Sequence, residues 1–230
     1  MTLPASGAIS LNQVNTELGL SATATIRLGD AAVRSLADVP SGAIGMSNLH
    51  GKAKRVYATW NPLDMGPNMA LSNGNLTATN IFRWNEFARA TVSKSLSIGG
   101  QKWYWEITVA VTRQDLGVAN SVETVLSFPG SSGNSVGYNS GGYIIFSGAI
   151  QATVASYTTG DVIGFVLDMY AATLKFYKNN VLQYTHGGLN GTYYPAGGGH
   201  GGSLSSMTAN FGATAFTYSP PAGCNAGLWA

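Results

Sequence analysis

A chain of 230 residues with 45% hydrophobic content can form one large or two small domains, each with a real core. Only 10% of residues are charged, 12 Lys and Arg against 10 Asp and Glu, and no basic run stands out. That balance excludes a phosphate-tracking groove, so nucleic acid is not an expected partner, and the hydrophobic content excludes wholesale disorder. The 30 glycines, set among Ser, Thr and Asn, suit short strands joined by many turns.

The single cysteine, Cys224, has no internal disulfide partner, and no Cys/His cluster offers a metal site. Neither a metal nor a cofactor is expected. The opening Met1–Ser10 lacks the charged and apolar regions of a leader peptide. No run approaches the roughly 18 apolar residues of a membrane span, so a soluble, cytosolically made protein is expected.

Residues 1–52 form a first segment of weakly repeated units, each a short extended piece followed by a short helix. Ser6-Gly7-Ala8-Ile9 leads to Leu11 and Val14, and Ser41-Gly42-Ala43-Ile44 leads to Met46 and Leu49. Between them Ile26-Arg27-Leu28 leads to Asp30 and the apolar Ala32, Val33 and Leu36. Ser10 with Gln13 is a capping-box pattern, Asp30 and Ser47 are good N-cap types, and Gly19 offers a stop after Val14 and Leu18. Helices this short need a surface to dock on: each other, the second segment or another protein. Ile9, Leu11, Val14, Leu18, Ile44 and Met46 are therefore the residues expected to attach the segment to a partner. Gly51–Lys54 reads as a linker.

From Arg55 onward the period changes to two. Trp103, Trp105, Ile107, Val109 and Val111 alternate with Tyr104, Glu106 and Thr108; Ile163, Phe165, Leu167 and Met169 alternate with Gly164, Val166 and Asp168. Leu174 and Phe176 share a face, and Met207, Ala209 and Phe211 repeat the pattern. Asn73-Gly74 and Asn179-Asn180 are hairpin-turn pairs. The expected fold class is mainly β, an antiparallel β-sandwich preceded by a small module of short helices and extended pieces.

The second segment resembles the SPRY family of concanavalin A-like sandwiches. The motifs that carry the likeness are Lys102–Ile107, Gly160–Gly164 with Leu167-Asp168, Leu174–Asn180, Tyr193-Tyr194-Pro195-Ala196 and Asn210-Phe211-Gly212. Asn180 stands where the family usually has glycine. The glycine-rich stretches Gly130–Asn139 and Gly197–Ser203 are unlike the peptide-binding loops of animal members. The resemblance implies a binding domain rather than an enzyme.

Leu3–Leu11 is similar to a short N-terminal module of tailed-bacteriophage structural proteins. Trp60-Asn61-Pro62, Leu71–Leu76 and Thr208–Thr214 resemble phage-encoded SPRY domains. This likeness implies a virion protein, made in the host cytoplasm and present in many copies. The module at 1–52 would hold it to tail, baseplate or capsid proteins, and the sandwich at 55–230 would contact a host-surface glycan or protein. The alternative is a capsid decoration or collar protein whose sandwich cements neighbouring subunits.

Catalytic signals are weak. A glycosidase needs two carboxyl groups roughly 5–10 Å apart. Glu106 stands alone on its strand, Asp161 and Asp168 face opposite ways, and Asp115 and Glu123 fall in or near loops without obvious partners. Gly133–Gly137 matches G-x-S-x-G, and Gly197–Gly202 matches G-x-G-x-x-G, but neither has the helix that such motifs require. No catalytic residue is expected, and Gly197–Gly202 reads as a flexible loop. His50, His186 and His200 read as exposed loop histidines. The candidate ligand-binding residues are Arg83 and Trp84, in the loop-like stretch Phe82–Glu86; Tyr138, Asn139 and Tyr143, in an aromatic-polar loop; and His200. Trp and Arg are the types that dominate binding hot spots, and aromatic faces stack on sugars.

Overall fold

The computed structural model describes residues 2–39, 41–81, 85–96, 100–200 and 204–230. It divides into two compact units, Met1–Val56 and Tyr57–Ala230.

In the first unit, α1 (Leu11–Leu18) begins at the Ser10 capping box, in which Ser10 Oγ accepts from Gln13 N. It ends at Gly19, whose φ of 77° suits a residue without a Cβ. α2 (Ala31–Ala37) follows Asp30, whose carboxylate accepts from Arg27 N at 2.8 Å rather than capping the helix. The third element is a 3-10 turn, Met46–Leu49, which starts from Gly45, so Ser47 lies inside it and is not its cap. Val14, Val33, Leu36, Ala37, Leu49 and Leu3 bury themselves together.

These elements dock on each other. Ile9, Leu18, Ile44 and Met46 pack half-buried against the shared cluster, Val14 is at its centre, and only Leu11 of the expected attachment residues is exposed. Apolar side chains at helical spacing found a local partner, which removes them from any docking face. Gly51–Lys54 is likewise no free linker: Leu3 N donates to Lys52 O at 2.9 Å, Gly51 N to Pro4 O at 2.9 Å, and Lys54 N to Glu17 Oε1 at 2.8 Å.

The second unit is a sandwich of two sheets, its strands numbered in chain order. The first sheet runs β1 (Trp60–Met65), β4 (Glu86–Ala90), β14 (Thr192–Gly199), β7 (Gln114–Ala119), β8 (Ser135–Asn139), β9 (Tyr143–Phe146) and β10 (Ala149–Thr153), with β5 (Lys94–Ser95) beside β14. The second runs β13 (Val181–Gly187), β12 (Thr173–Lys178), β11 (Val162–Asp168), β6 (Lys102–Val111), β15 (Ser205–Asn210), β3 (Thr77–Asn80) and β2 (Met69–Ser72). These pairings are antiparallel, and β16 (Cys224–Ala226) adds a parallel contact to β6.

The period-two pattern places Trp105, Phe165 and Phe176 at one level across β6, β11 and β12. Trp105 stacks on Phe165 with ring centroids 5.0 Å apart, and Phe165 meets Phe176 edge-on at 5.7 Å. The Asn179-Asn180 turn takes φ values of 46° and 67°, the left-handed pair that a two-residue hairpin demands and that Asn tolerates in place of Gly.

Both sheets are covered on their outer faces as well. Segment 120–134 crosses the first sheet, with Val125 packed on Phe87, Ala119 and Ala196. Arg89, 5% exposed, is held there by Asp64 (2.7 and 2.8 Å) and by the carbonyls of Asn120 and Glu123. Over the second sheet, Phe216 meets Tyr104 at 5.0 Å, and the backbone N–H groups of Thr217 and Tyr218 donate to Glu106. This second covering explains why all of β11 is buried. An alternating strand exposed on one face would bury only every second residue.

Candidate functional site at one end of the sandwich

The strand register gathers several chain segments at one end of the first sheet. Gly199 pairs with Glu86 on one side and Gln114 on the other; Asp115 pairs with Asn139, and Asn139 with Tyr143. His200 leaves β14 at this end, Arg113 enters β7, and the β8–β9 turn closes over Ser140–Gly142. Arg83 and Trp84 lie outside the described residues.

At this end Arg113, Asn139, Ser140, Gly141 and His200 line a cleft of about 310 Å³. His200 N donates to Arg113 O at 3.1 Å, which fixes the two main chains side by side. Arg113 holds a φ of 71°, uncommon for a residue with a Cβ. His200 Nδ1 lies 2.5 Å from Asp115 Oδ2, and Asn139 Nδ2 donates to Asp115 Oδ1 at 2.9 Å. The Phe128 ring packs edge-on against His200 with centroids 4.4 Å apart.

Burial pushes the Asp115 carboxyl above its usual range, opposed by the hydrogen bond to His200. The same bond raises the His200 pKa above 6.5, against a smaller effect of burial. Among the described residues no hydrogen bond joins Ser140 to His200, so the cluster has no assembled nucleophile–base pair.

The other expected site residues fall in different places. Tyr138 is a core residue of β8 and not a loop residue: it is fully buried, its hydroxyl donates to Ala155 O, and its ring packs edge-on to Tyr157 at 4.9 Å. Asn139 ends the same strand half-buried and lines the cleft. Tyr143 opens β9 with 40% exposure and sits beside Gly141, where a Cβ would lie 3.3 Å from the tyrosine Cε2. The structure therefore brings Asn139, Tyr143 and His200 together and removes Tyr138. Sequence reading missed Arg113 and Asp115 as members of this cluster. A lone arginine opening a strand carries no motif, and Asp115 meets His200 across 85 residues.

The histidines are not free loop residues. His200 is held by Asp115, His186 is 7% exposed on β13 with its ring 4.7 Å from Phe146, and His50 Nε2 lies 2.8 Å from Gly7 O. Burial lowers the His186 pKa. Gly197–Gly199 are no loop either but the buried end of β14; Gly201 and Gly202 lie outside the described residues.

The acids also have partners. Glu123, 4% exposed, takes hydrogen bonds from Ser127, Ser131, Ser132 and Ser135. Ser135 of the G-x-S-x-G match is thus buried on a strand. Glu106, 2% exposed, accepts from Tyr104 Oη at 2.9 Å as well as from the two backbone groups above it. Asp161 and Asp168 pair with Lys178 and Lys102 at 3.2 Å each. No group of three metal-binding side chains occurs among the described residues, and no helix there is long and apolar enough to cross a membrane.

The second unit is thus a two-sheet antiparallel sandwich with a cleft at one end. Residues 102–213 match the SPRY domain family, and the sandwich has the SPRY fold. The SPRY domain of human HERC1 is similar at 18% identity, covering 65% of this chain and 96% of that one, with a TM-score of 0.57. The TRIM65 PSpry domain is similar at 17% identity, covering 67% of this chain and 92% of that one, TM-score 0.56. Stonustoxin is similar at 22% identity over 67% of this chain and 27% of its own, TM-score 0.53. These likenesses define the fold. No curated protein matches the chain.

Proposed function

We propose that this protein is a bacteriophage virion component that is held to the particle by residues 1–56 and uses the cleft end of its SPRY sandwich to bind the host surface. The observation that carries the binding role is the convergence of Arg113, Asn139, Ser140, Gly141 and His200, with exposed Tyr143 beside them, on one end of a rigid sandwich. Polar, cationic and aromatic groups on loops anchored by packed sheets are what a recognition surface requires. The virion setting rests on the likeness of Leu3–Leu11 to a module of phage structural proteins and of Trp60-Asn61-Pro62 to phage-encoded SPRY domains.

A binding role without catalysis is supported by the acids of the sandwich. Asp64, Glu86, Glu106, Asp115, Glu123, Asp161 and Asp168 are each engaged by a cation or hydrogen-bond donor, which leaves no pair of free carboxyls across a cleft. Weak single-site affinity suffices for a protein displayed in many copies, because avidity multiplies it.

The test is particle adsorption and incorporation. Deleting residues 1–56 is expected to leave a folded sandwich absent from particles, and Tyr143→Ala is expected to reduce host adsorption with incorporation unchanged. Normal incorporation of the truncated chain would refute the mounting role.

One observation favours the cementing alternative. The outermost strands of both sheets expose apolar residues, Ile150 at 59% on β10 and Val181 and Leu182 at 62% and 49% on β13. Edge strands of this kind are surfaces for contact with neighbouring subunits. Charged substitutions at Val181 and Leu182 that disrupt particle stability, with adsorption intact, would favour that role.

A further inference from the structure

The cleft at the end of the sandwich is rich in donors. The Arg113 side chain is exposed and makes no hydrogen bond or ion pair with any described residue, although its backbone is fixed by His200. His200 commits Nδ1 to Asp115, which leaves Nε2 as its remaining polar atom. Ser140 adds a hydroxyl, and the Asn139 amide is already shared between Asp115 and Gly141 N. Asp115, the acid bonded to this cluster, is fully buried and does not offer its charge to the cleft.

An unpaired guanidinium beside a protonatable imidazole and a hydroxyl is complementary to a carboxylate. The rim carries a second feature. Tyr143, 40% exposed, places its ring alongside Gly141, where no side chain intervenes. A flat aromatic face next to a carboxylate anchor matches a pyranose ring that bears a carboxyl group, because the apolar side of the sugar stacks while its acid pairs with arginine. An acidic peptide would use the charge and leave the ring face without a counterpart. A cleft of about 310 Å³ is at the small end of ligand sites, the scale of one sugar residue and not of a folded partner.

We propose that this cleft binds the carboxylate of an acidic sugar, with Arg113 as the charge anchor and Tyr143 as the stacking face. The proposal rests on the reading of this end as the host-binding surface and names its ligand class.

The full-length chain is titrated calorimetrically with galacturonate and glucuronate oligosaccharides, a neutral galactose oligosaccharide and an oligoglutamate. The uronates are expected to bind and the other two to give no heat. Arg113→Asn, chosen because Asn tolerates the positive φ, and Tyr143→Ala should each weaken uronate binding about tenfold. Thermal midpoints should stay unchanged, and added salt should weaken the wild-type complex. Equal binding of the neutral sugar, equal binding of oligoglutamate, or no uronate binding at millimolar concentration would each overturn the proposal. If uronates fail while Tyr143→Ala still lowers host adsorption, the ligand class alone is wrong. If both variants also leave adsorption intact, the host-binding reading of this end falls with it.

Discussion

His200 holds its Nδ1 2.5 Å from Asp115, a carboxylate whose side chain has no exposure, while the imidazole itself remains 34% exposed. One partner is therefore wet and the other dry. Both pKa values lie above their ordinary positions of 6.5 and 3.8. The folded chain thus holds more protons than the unfolded chain between the two ordinary values and beyond them. The His200 share of the stability is complete below about 6.5 and is lost as pH rises through its raised value. The Asp115 share is complete below about 3.8 and is likewise lost as pH rises.

The first prediction concerns this pair. His200→Ala leaves a buried carboxylate with Asn139 as its remaining partner, and should cost about 2 kcal/mol at pH 8, below the usual loss for a broken buried pair because solvent screens the exposed imidazole. At pH 5 the loss should be larger, since the share of stability that His200 contributes through its raised pKa is complete there and falls away as pH rises. Urea unfolding at the two pH values measures both. An equal loss at each pH would mean that packing against Phe128, and not charge, is what His200 supplies.

Most strands were legible because the information that makes them is local. Alternation in Trp103–Val111 and Ile163–Met169, and the turn pairs at Asn73-Gly74 and Asn179-Asn180, act over a few residues. The site was legible only in part. Asn139, Tyr143 and His200 do reach one end, but Asp115 joins His200 across 85 residues, a distance over which no spacing rule operates. Tyr138 looked like a member of a polar loop because its neighbours are Gly137 and Asn139; the glycine in fact faces the Pro129 carbonyl, where a Cβ would stand 2.0 Å away. Similarly, segment 213–218 hides Glu106 on β6. A covering loop leaves no period in the strand that it covers.

A second prediction follows from β14, where a glycine run that reads as a flexible loop is the tight centre of a sheet. A Cβ on Gly198 would meet Glu86 O at 2.0 Å and Phe87 Cα at 2.4 Å, both backbone atoms that cannot swing aside. Gly198→Ala should therefore destabilise the sandwich by about 3 kcal/mol or more. Gly187→Ala, where nothing lies within 4 Å, is the matched control and should be nearly neutral. Thermal melts of the two variants decide the matter, and a Gly198→Ala midpoint near wild type would show that β4 and β14 are not packed this closely.

Gln114 gives a third prediction of opposite sign. Its side chain is fully buried at the start of β7, and neither amide atom has a hydrogen-bond partner among the described residues. A buried unmet amide costs free energy that an apolar side chain of similar volume does not. Gln114→Met should raise stability by about 1 kcal/mol in urea unfolding. A loss of stability instead would indicate an ordered water bonded to the amide.

The last prediction addresses the first unit, whose short helices hold one another through a core of few side chains. Val14 is fully buried in the cluster that it forms with Leu3, Val33, Leu36, Ala37 and Leu49. Removing its two methyl groups takes away transfer free energy and leaves a cavity, at a cost of about 2 kcal/mol. A core this small has little stability in reserve, so the loss should register as local opening. In amide hydrogen exchange on the full-length chain, Val14→Ala should speed exchange across Leu11–Leu18 and Ala31–Ala37. Amides of β11, in the separate sandwich core, should keep their wild-type protection. Equal acceleration in β11 would show that the two cores unfold as one cooperative body, and unchanged exchange in α1 would show that Val14 does not hold the helices together.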